Sequence, residues 1–300
     1  MFVIRDYKIS MILGKVAILG LGLLGGSIGL ELRMRNLAER VVAYARRDQT
    51  VAEGRTMGAA DEISTNLEGT IAESDLVILR TPVFQMKNLP EHIGKLLPTN
   101  CLVTDVGSVK QYVISQVTPA LNDAGIEFLG SHPMAGSEKT GVMAAQKGIF
   151  KGAHCAITPT SNNSYGSIEK LKKFWGSLGG VPMVMEPDKH DEMVARCSHV
   201  PHVLSSTLSK FVLNPGWPKE QASLSSTGFR DISRLASGSP EMWKDISLSN
   251  KESIISAISE WNEELNQFIN ALEEMDETAI LDFFKEAKLR RDLWLKNFKK

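Results

Sequence analysis

The residues of this chain that could do chemistry fall into four clusters. The first is Gly20-Leu-Gly22-Leu-Leu-Gly25. Glycines at this spacing, behind a short apolar run and ahead of a helical one, form the fingerprint of a dinucleotide-binding turn. Gly20 permits the tight turn, Gly22 lets the backbone approach a pyrophosphate, and Gly25 lets helix and strand pack closely. Leu23 and Leu24 open the helix, whose free N–H groups and dipole favour an anion. The bland alternative is a glycine-rich turn of some other α/β protein.

The other three clusters are polar. They are Asp105-Val-Gly-Ser108-Val-Lys110, then Ser131-His132-Pro-Met-Ala-Gly136-Ser137-Glu138-Lys139, and then Ser198-His199-Val-Pro-His202 together with Gly228-Phe-Arg-Asp231-Ile-Ser-Arg234. In open α/β folds ligands bind beyond the carboxyl ends of the strands, where the first two clusters fall. Taken singly, each has a structural reading. A histidine before proline is more often structural than catalytic. His199 and His202 could be a metal pair, but no third ligand of suitable spacing accompanies them, so no metal is expected. Pro201 between them suits a helix kink. Arg234 could simply pair with Asp231 at little gain.

The elements that must position these residues can be read from hydrophobic pattern. Short β-branched runs at 15–20, 41–44, 76–79 and 102–104 read as buried strands, with further strands near 126–130, 153–158 and 181–185. Helical stretches near 24–35, 48–57, 83–97 and 108–121 alternate with them. This order implies right-handed crossovers and a doubly wound parallel sheet covered on both faces. The pattern changes at Pro187. Beyond it lie helices only, among them a stripe of Ile254, Ile258, Trp261, Leu265, Phe268 and Leu272, and a helix from 276 to 298. The expectation is an α/β chain of two parts: a Rossmann-type domain over 1–187 and an all-helical domain over 188–300. The stripe is too apolar to be left in water, which predicts a homodimer through the helical part.

Strand 41–44 ends in Ala43-Tyr-Ala-Arg46-Arg47. An acid at this point binds the ribose 2′-hydroxyl of NAD, whereas arginine takes the 2′-phosphate of NADP. Arg46 and Arg47 favour NADP, with NAD, served by Asp48, as the alternative. Thr81 and Pro82, which close the strand at 76–79, complete the expected cofactor contacts.

Bulk composition excludes several classes. Hydrophobic residues make up 43% and charged residues 23% of the 300, as in a globular enzyme. A net charge of -1 argues against nucleic acid as a partner. Three widely spaced cysteines suit a reducing cytoplasm rather than a disulfide framework. No apolar run reaches the roughly 20 residues a membrane span needs before Glu31 and Arg33 interrupt it. Residues 1–13 read as an extension, with Met11 a second candidate start, and no fused further domain is expected after residue 250.

With their order along the chain, the five motifs closely resemble the prephenate/arogenate dehydrogenase family: the glycine loop, D-V-G-S-V-K, S-H-P-M-A-G-S-E-K, S-H-x-P-H and G-F-R-D-I-S-R-x-A. The resemblance runs from about residue 15 to about residue 250. It implies a Rossmann domain followed by a helical dimerisation domain, and oxidative decarboxylation of prephenate, or of arogenate, in tyrosine biosynthesis. Hydride leaves ring carbon 4 for the nicotinamide, the 4-hydroxyl loses its proton, and the ring carboxylate departs as carbon dioxide. By that match His132 is the base, which suits an imidazole at neutral pH. Ser108 holds His132 or the hydroxyl, and Arg234 grips the ring carboxylate. Ser137, Glu138, His202 and Asp231 form a polar network around the substrate, with His199 behind it. His92, His154 and His190 receive no role. Two rivals remain: a hydroxyacid dehydrogenase of the same plan, which should carry a lysine where histidines stand here, and a non-catalytic NADP-sensing protein on the same fold.

Overall fold

The computed structural model describes residues 13–80, 89–136 and 139–297. Strands β1 (Leu13–Leu19), β2 (Ala38–Tyr44), β3 (Glu62–Ser64), β4 (Leu76–Leu79), β5 (Leu102–Asp105), β6 (Glu127–Pro133), β7 (His154–Thr158) and β8 (Val181–Val184) form one sheet. Their order is β3-β2-β1-β4-β5-β6-β7-β8. In β1, Val16 and Ile18 enter one core, while Ala17 and Leu19 enter the other. Period-two alternation with apolar residues at both parities is what burial on both faces requires. Helices α1 (Leu23–Met34), α2 (Asp48–Met57), α3 (Leu67–Ile71), α4 (Leu89–Gly94), α5 (Gln111–Asp123) and α6 (Tyr165–Ser177) supply the cover.

From β1 to β6 every paired neighbour is parallel. The expectation of a parallel sheet is corrected at its far edge. β7 runs antiparallel to β6, with His132 opposite Ala156, and β8 is parallel to β7. A parallel return needs a crossover helix of a dozen or more residues. Within the described part of 134–153 there is only a 3₁₀ turn, Val142–Ala144, so the chain comes back along the same edge. This segment is pinned to α1: Gln146 N donates to Ser27 Oγ at 2.9 Å, and Gly148 N donates to the buried Glu31 carboxylate. The loop after His132 is thereby held against the helix that follows the glycine turn. β6 also runs on to Pro133, which makes His132 a strand residue with a fixed direction.

In the first half three elements, β3, the five-residue α3 and α6, have no counterpart in the sequence reading. β3 has three residues on a sheet edge, too few for any period to show. α6 is capped by Ser164, whose side chain accepts from Ser167 N, and it buries Leu171, Phe174 and Trp175. The helix expected from 108 starts at Gln111, leaving Ser108 in the loop; only 89–97 of the expected 83–97 is described.

Pro187 sits in the first turn of α7 (Pro187–Val194), where its missing N–H costs nothing. A π-turn over Ala195–His199 then widens the helix before α8 (Val200–Val212), which has Pro201 near its start. After α9 (Lys219–Ser223) and α10 (Thr227–Ser233), a 3₁₀ turn at Arg234–Ser237 leads to α11 (Pro240–Ser249), α12 (Lys251–Glu273) and α13 (Glu277–Asn297). This half has a small core of Ala195, Val200, Ile254 and Ala257. Of the stripe on α12 only Ile254 is buried; Trp261, Leu265 and Leu272 are 39–51% exposed, and α13 buries no residue. None of the described helices is long and apolar enough to cross a membrane.

Candidate active site

The turn after β1 meets the demands of a dinucleotide cradle. Gly20 has φ +109°, and a Cβ there would lie 2.6 Å from the Arg80 carbonyl oxygen. A Cβ on Gly25 would lie 2.3 Å from the Gly20 oxygen, so α1 could not approach β1 with any larger residue. At Gly22 a Cβ would instead meet the Arg80 guanidinium. Gly22 caps α1 with no side-chain hydrogen bond, leaving the N–H groups of the first turn, including Leu23 and Leu24, for an anion. Past β2, Arg46 and Arg47 are exposed and make no ion pair with a described residue. Thr81, Pro82, Ser137 and Glu138 lie outside the described residues.

His132 anchors the second group. Its Nδ1 lies 3.0 Å from Nε2 of His190, and His190 Nδ1 lies 2.8 Å from Asp191 Oδ1. Asp191 also accepts the backbone N–H of Lys110 at 2.8 Å and of Gln111 at 2.9 Å, the start of α5. Three donors around one carboxylate make it the acceptor end of the chain. His190 therefore donates from Nδ1 and accepts at Nε2, His132 donates from Nδ1, and the lone pair of His132 falls on Nε2. Such a chain fixes a tautomer through its outer members, as carboxylate–histidine pairs do elsewhere. Burial, the neighbouring His190 and the Lys110 charge hold the pKa of His132 well below 6.5, so it is an uncharged base at neutral pH.

Below this chain lies a buried ion pair. Lys110 Nζ donates to Asp105 Oδ2 and, at 2.8 Å, to the Ser131 carbonyl; both side chains are fully buried. Asp105 Oδ1 accepts Ser131 N at 3.0 Å, and Ser131 Oγ donates to the Asp105 carbonyl at 2.6 Å. The residue before His132 is thus held by side chain and backbone together. Burial lowers the Lys110 pKa, and Asp105 opposes the shift. Ser108, half-buried between the two partners, makes no hydrogen bond to His132 or any other described residue.

The second half closes the group. Asn250 donates to the Asp191 carbonyl at 2.9 Å and lies 3.2 Å from His199 Nδ1. His202 donates from Nδ1 to the Ser198 carbonyl at 2.9 Å and stacks on Trp243 at 3.8 Å, leaving its Nε2 for a ligand. Its pKa is lowered by burial and by the charge of Arg234. Arg234 and Asp231 are both exposed, on the face presented by α10 and the 3₁₀ turn. The sequence reading gave no role to His190, Asp191, Lys110, Asp105, Asn250, Trp243 or Arg80. The adjacent His190-Asp191 pair at the start of the helical half was the available signal.

Burial also pushes His199 down, to about 4, with the Asp191 charge opposing. Its folded pKa lies below the unfolded value near 6.5, so the unfolded chain binds the extra proton first. Stability from this group is present above about pH 6.5 and is lost as pH falls toward 4, a span of about 3 kcal/mol. Urea unfolding over that range should show the loss, and His199→Gln should flatten it. Parallel curves for the two proteins would contradict the assignment.

Comparison with known proteins bears on the family and the fold. Residues 28–184 match the model of the prephenate dehydrogenase nucleotide-binding domain, and residues 186–286 match that of the prephenate dehydrogenase dimerization domain. Prephenate dehydrogenase of Bacillus subtilis (strain 168) is 32% identical over 280 residues, 92% of this chain and 75% of that protein. Prephenate dehydrogenase from Aquifex aeolicus, solved in complex with hydroxyphenyl propionate and NAD+, superposes with a TM-score of 0.87 at 29% identity, covering 95% of this chain and 98% of that one. Arogenate dehydrogenase of Synechocystis gives 0.79 at 25% identity, covering 93% and 99%. By its sequence, its two domains and its fold, the chain belongs to the prephenate dehydrogenase family.

Proposed function

We propose that this protein oxidatively decarboxylates prephenate to 4-hydroxyphenylpyruvate in tyrosine biosynthesis, with a nicotinamide dinucleotide as oxidant. The observation that carries this reading is the His132–His190–Asp191 chain, which leaves His132 Nε2 as an uncharged acceptor on the carboxyl side of the sheet. A nicotinamide dinucleotide held at the glycine turn would supply the acceptor for the hydride that leaves ring carbon 4. His132 takes the proton of the 4-hydroxyl as that carbon becomes a carbonyl, and Ser108 positions the hydroxyl. Loss of carbon dioxide from carbon 1 returns electrons to the ring, and the proton goes back to the oxygen to give the phenol. Aromatisation makes the step one-way. Arg234 binds the ring carboxylate with its planar fork, and Ser137, Glu138, His202 and Asp231 line the substrate. Arogenate differs from prephenate only in carrying an amino group in place of the side-chain keto group. Side-by-side turnover of the two tests the reading, with prephenate expected to give the higher kcat/KM.

The cofactor is NADP by this reading, because Arg46 and Arg47 stand exposed where an acid would bind a ribose hydroxyl. Arg46→Asp should swing the NADP/NAD preference by about 1–3 kcal/mol, the worth of one charge-assisted contact. Equal kcat/KM for both cofactors in the unaltered protein would rule this out.

The working unit is a homodimer joined through the helical half. Phe211, Leu265, Leu272, Phe284 and Trp294 stand 40–63% exposed on one chain, and large exposed apolar side chains of this kind mark interaction surfaces. Light scattering at micromolar concentration should give a dimer at low and high salt alike, and Leu265→Asp should cost solubility or assembly. A well-behaved monomer would contradict it. Cys101 and Cys155 are buried thiols pushed up to about 12 and Cys197 is exposed, all unpaired, as suits the cytoplasm.

A further inference from the structure

Arg80 is the first residue past β4, and its place is fixed by backbone. β1 and β4 pair in parallel with Leu19 opposite Leu79, and Arg80 N donates to the Leu19 carbonyl at 2.9 Å. These two strands are where the sheet order reverses, since β2 and β3 extend one way from β1 and β5 to β8 the other. That crevice is where open α/β sheets bind their ligands. From this position the Arg80 side chain lies over Gly22. A Cβ built on Gly22 would be 2.7 Å from Nη1, 2.8 Å from Cζ and 3.1 Å from Nη2. In the usual fingerprint the second glycine leaves room for the pyrophosphate alone. Here that room is shared with a guanidinium.

The electrostatics of this placement are unbalanced without an anion. Arg80 makes no side-chain hydrogen bond or ion pair with any described residue, and burial alone accounts for the lowering of its pKa. It stands beside the N-terminus of α1, the positive end of the helix dipole, and the first turn of α1 holds no acidic residue. A cation, a positive helix end and free N–H groups converge on one spot, so each lowers the energy of an anion placed between them.

We propose that Arg80 is a pyrophosphate-binding residue of the dinucleotide site, a clamp that adds a full positive charge to a turn whose other donors are backbone N–H groups. The proposal rests on the chain binding a nicotinamide dinucleotide. Both NAD+ and NADP+ carry the pyrophosphate, so Arg80 strengthens both alike. Choice between them is left to Arg46 and Arg47, which lie past β2.

Calorimetric titration of the full chain with NAD+, NADP+ and ADP-ribose, in the absence of substrate, separates these roles. Arg80→Gln should weaken all three by a common factor of about 10- to 100-fold, as expected for a charge-assisted contact. Arg80→Lys, which keeps the charge and loses the fork, should recover part of it. The melting temperature of ligand-free Arg80→Gln should equal or exceed that of the unaltered protein, because a half-buried cation with no ion-pair partner among the described residues has been removed. Unchanged or tighter binding by Arg80→Gln would overturn the proposal, as would a loss confined to NADP+ or a large fall in melting temperature. Failure of the unaltered chain to bind any of the three would instead overturn the dinucleotide reading, and the proposal with it.

Discussion

Replacement of His132 by alanine is expected to lower kcat by about 10²–10⁴, the usual contribution of a general base, with the Kd for dinucleotide unchanged. The same geometry makes a sharper demand on Asp191. It is the acceptor that turns the His190 proton toward itself and so leaves His132 Nε2 unprotonated. Asparagine at 191 keeps the shape but can present an N–H to His190 Nδ1. His190 would then donate from Nε2, His132 would accept at Nδ1, and its proton would sit on Nε2, where the base is needed. Asp191→Asn should therefore lose activity by a factor approaching that of His132→Ala. The double variant should be no worse than His132→Ala alone, since residues acting as a unit are not additive. Multiplying losses would show that Asp191 acts by a separate route, and unchanged kcat in His132→Ala would remove the base from the mechanism.

A second large effect is expected on stability. Lys110→Met leaves the Asp105 carboxylate buried with its cation gone, and breaking a buried pair from one side costs about 3–5 kcal/mol. Asp105 also holds Gly107 N at 2.8 Å and Ser131 N at 3.0 Å, so its hydrogen bonds do not vanish with the lysine. What is lost is the charge compensation. Asp105→Asn combined with Lys110→Met removes both charges and should restore much of the loss. Denaturant midpoints at neutral pH measure all three. A cost under about 1 kcal/mol for Lys110→Met alone would mean that Asp105 is neutral or hydrated in the fold.

The sequence shows the parts of this molecule that obey a period and hides those that depend on a return path. β1, β4 and β5 are short apolar runs, and the glycine turn follows β1 where its spacing says it should. The direction of β7 was not legible, because nothing in 134–153 states that the chain comes back without a crossover helix. His132 stood out beside Pro133, yet its partners His190 and Asp191 lie 58 and 59 positions along the chain, at the start of another domain. Folding brings His132 Nδ1 within 3.0 Å of His190 Nε2, while Asp191, the next residue along, holds His190 Nδ1 at 2.8 Å. The spacing of Asp105 and Lys110 alone cannot tell a buried ion pair from two solvated charges. The stripe on α12 was legible as apolar, and its exposure on a single chain points to a surface outside that chain.

The most direct test is product stoichiometry. The purified protein, given prephenate and NADP+ or NAD+, is followed for reduced nicotinamide, carbon dioxide and 4-hydroxyphenylpyruvate, with His132→Ala as control. The expected result is one of each product per prephenate consumed, and a rate lowered by about 10²–10⁴ in the variant. Reduced nicotinamide without carbon dioxide, or no turnover with either cofactor, would contradict the function proposed for this chain.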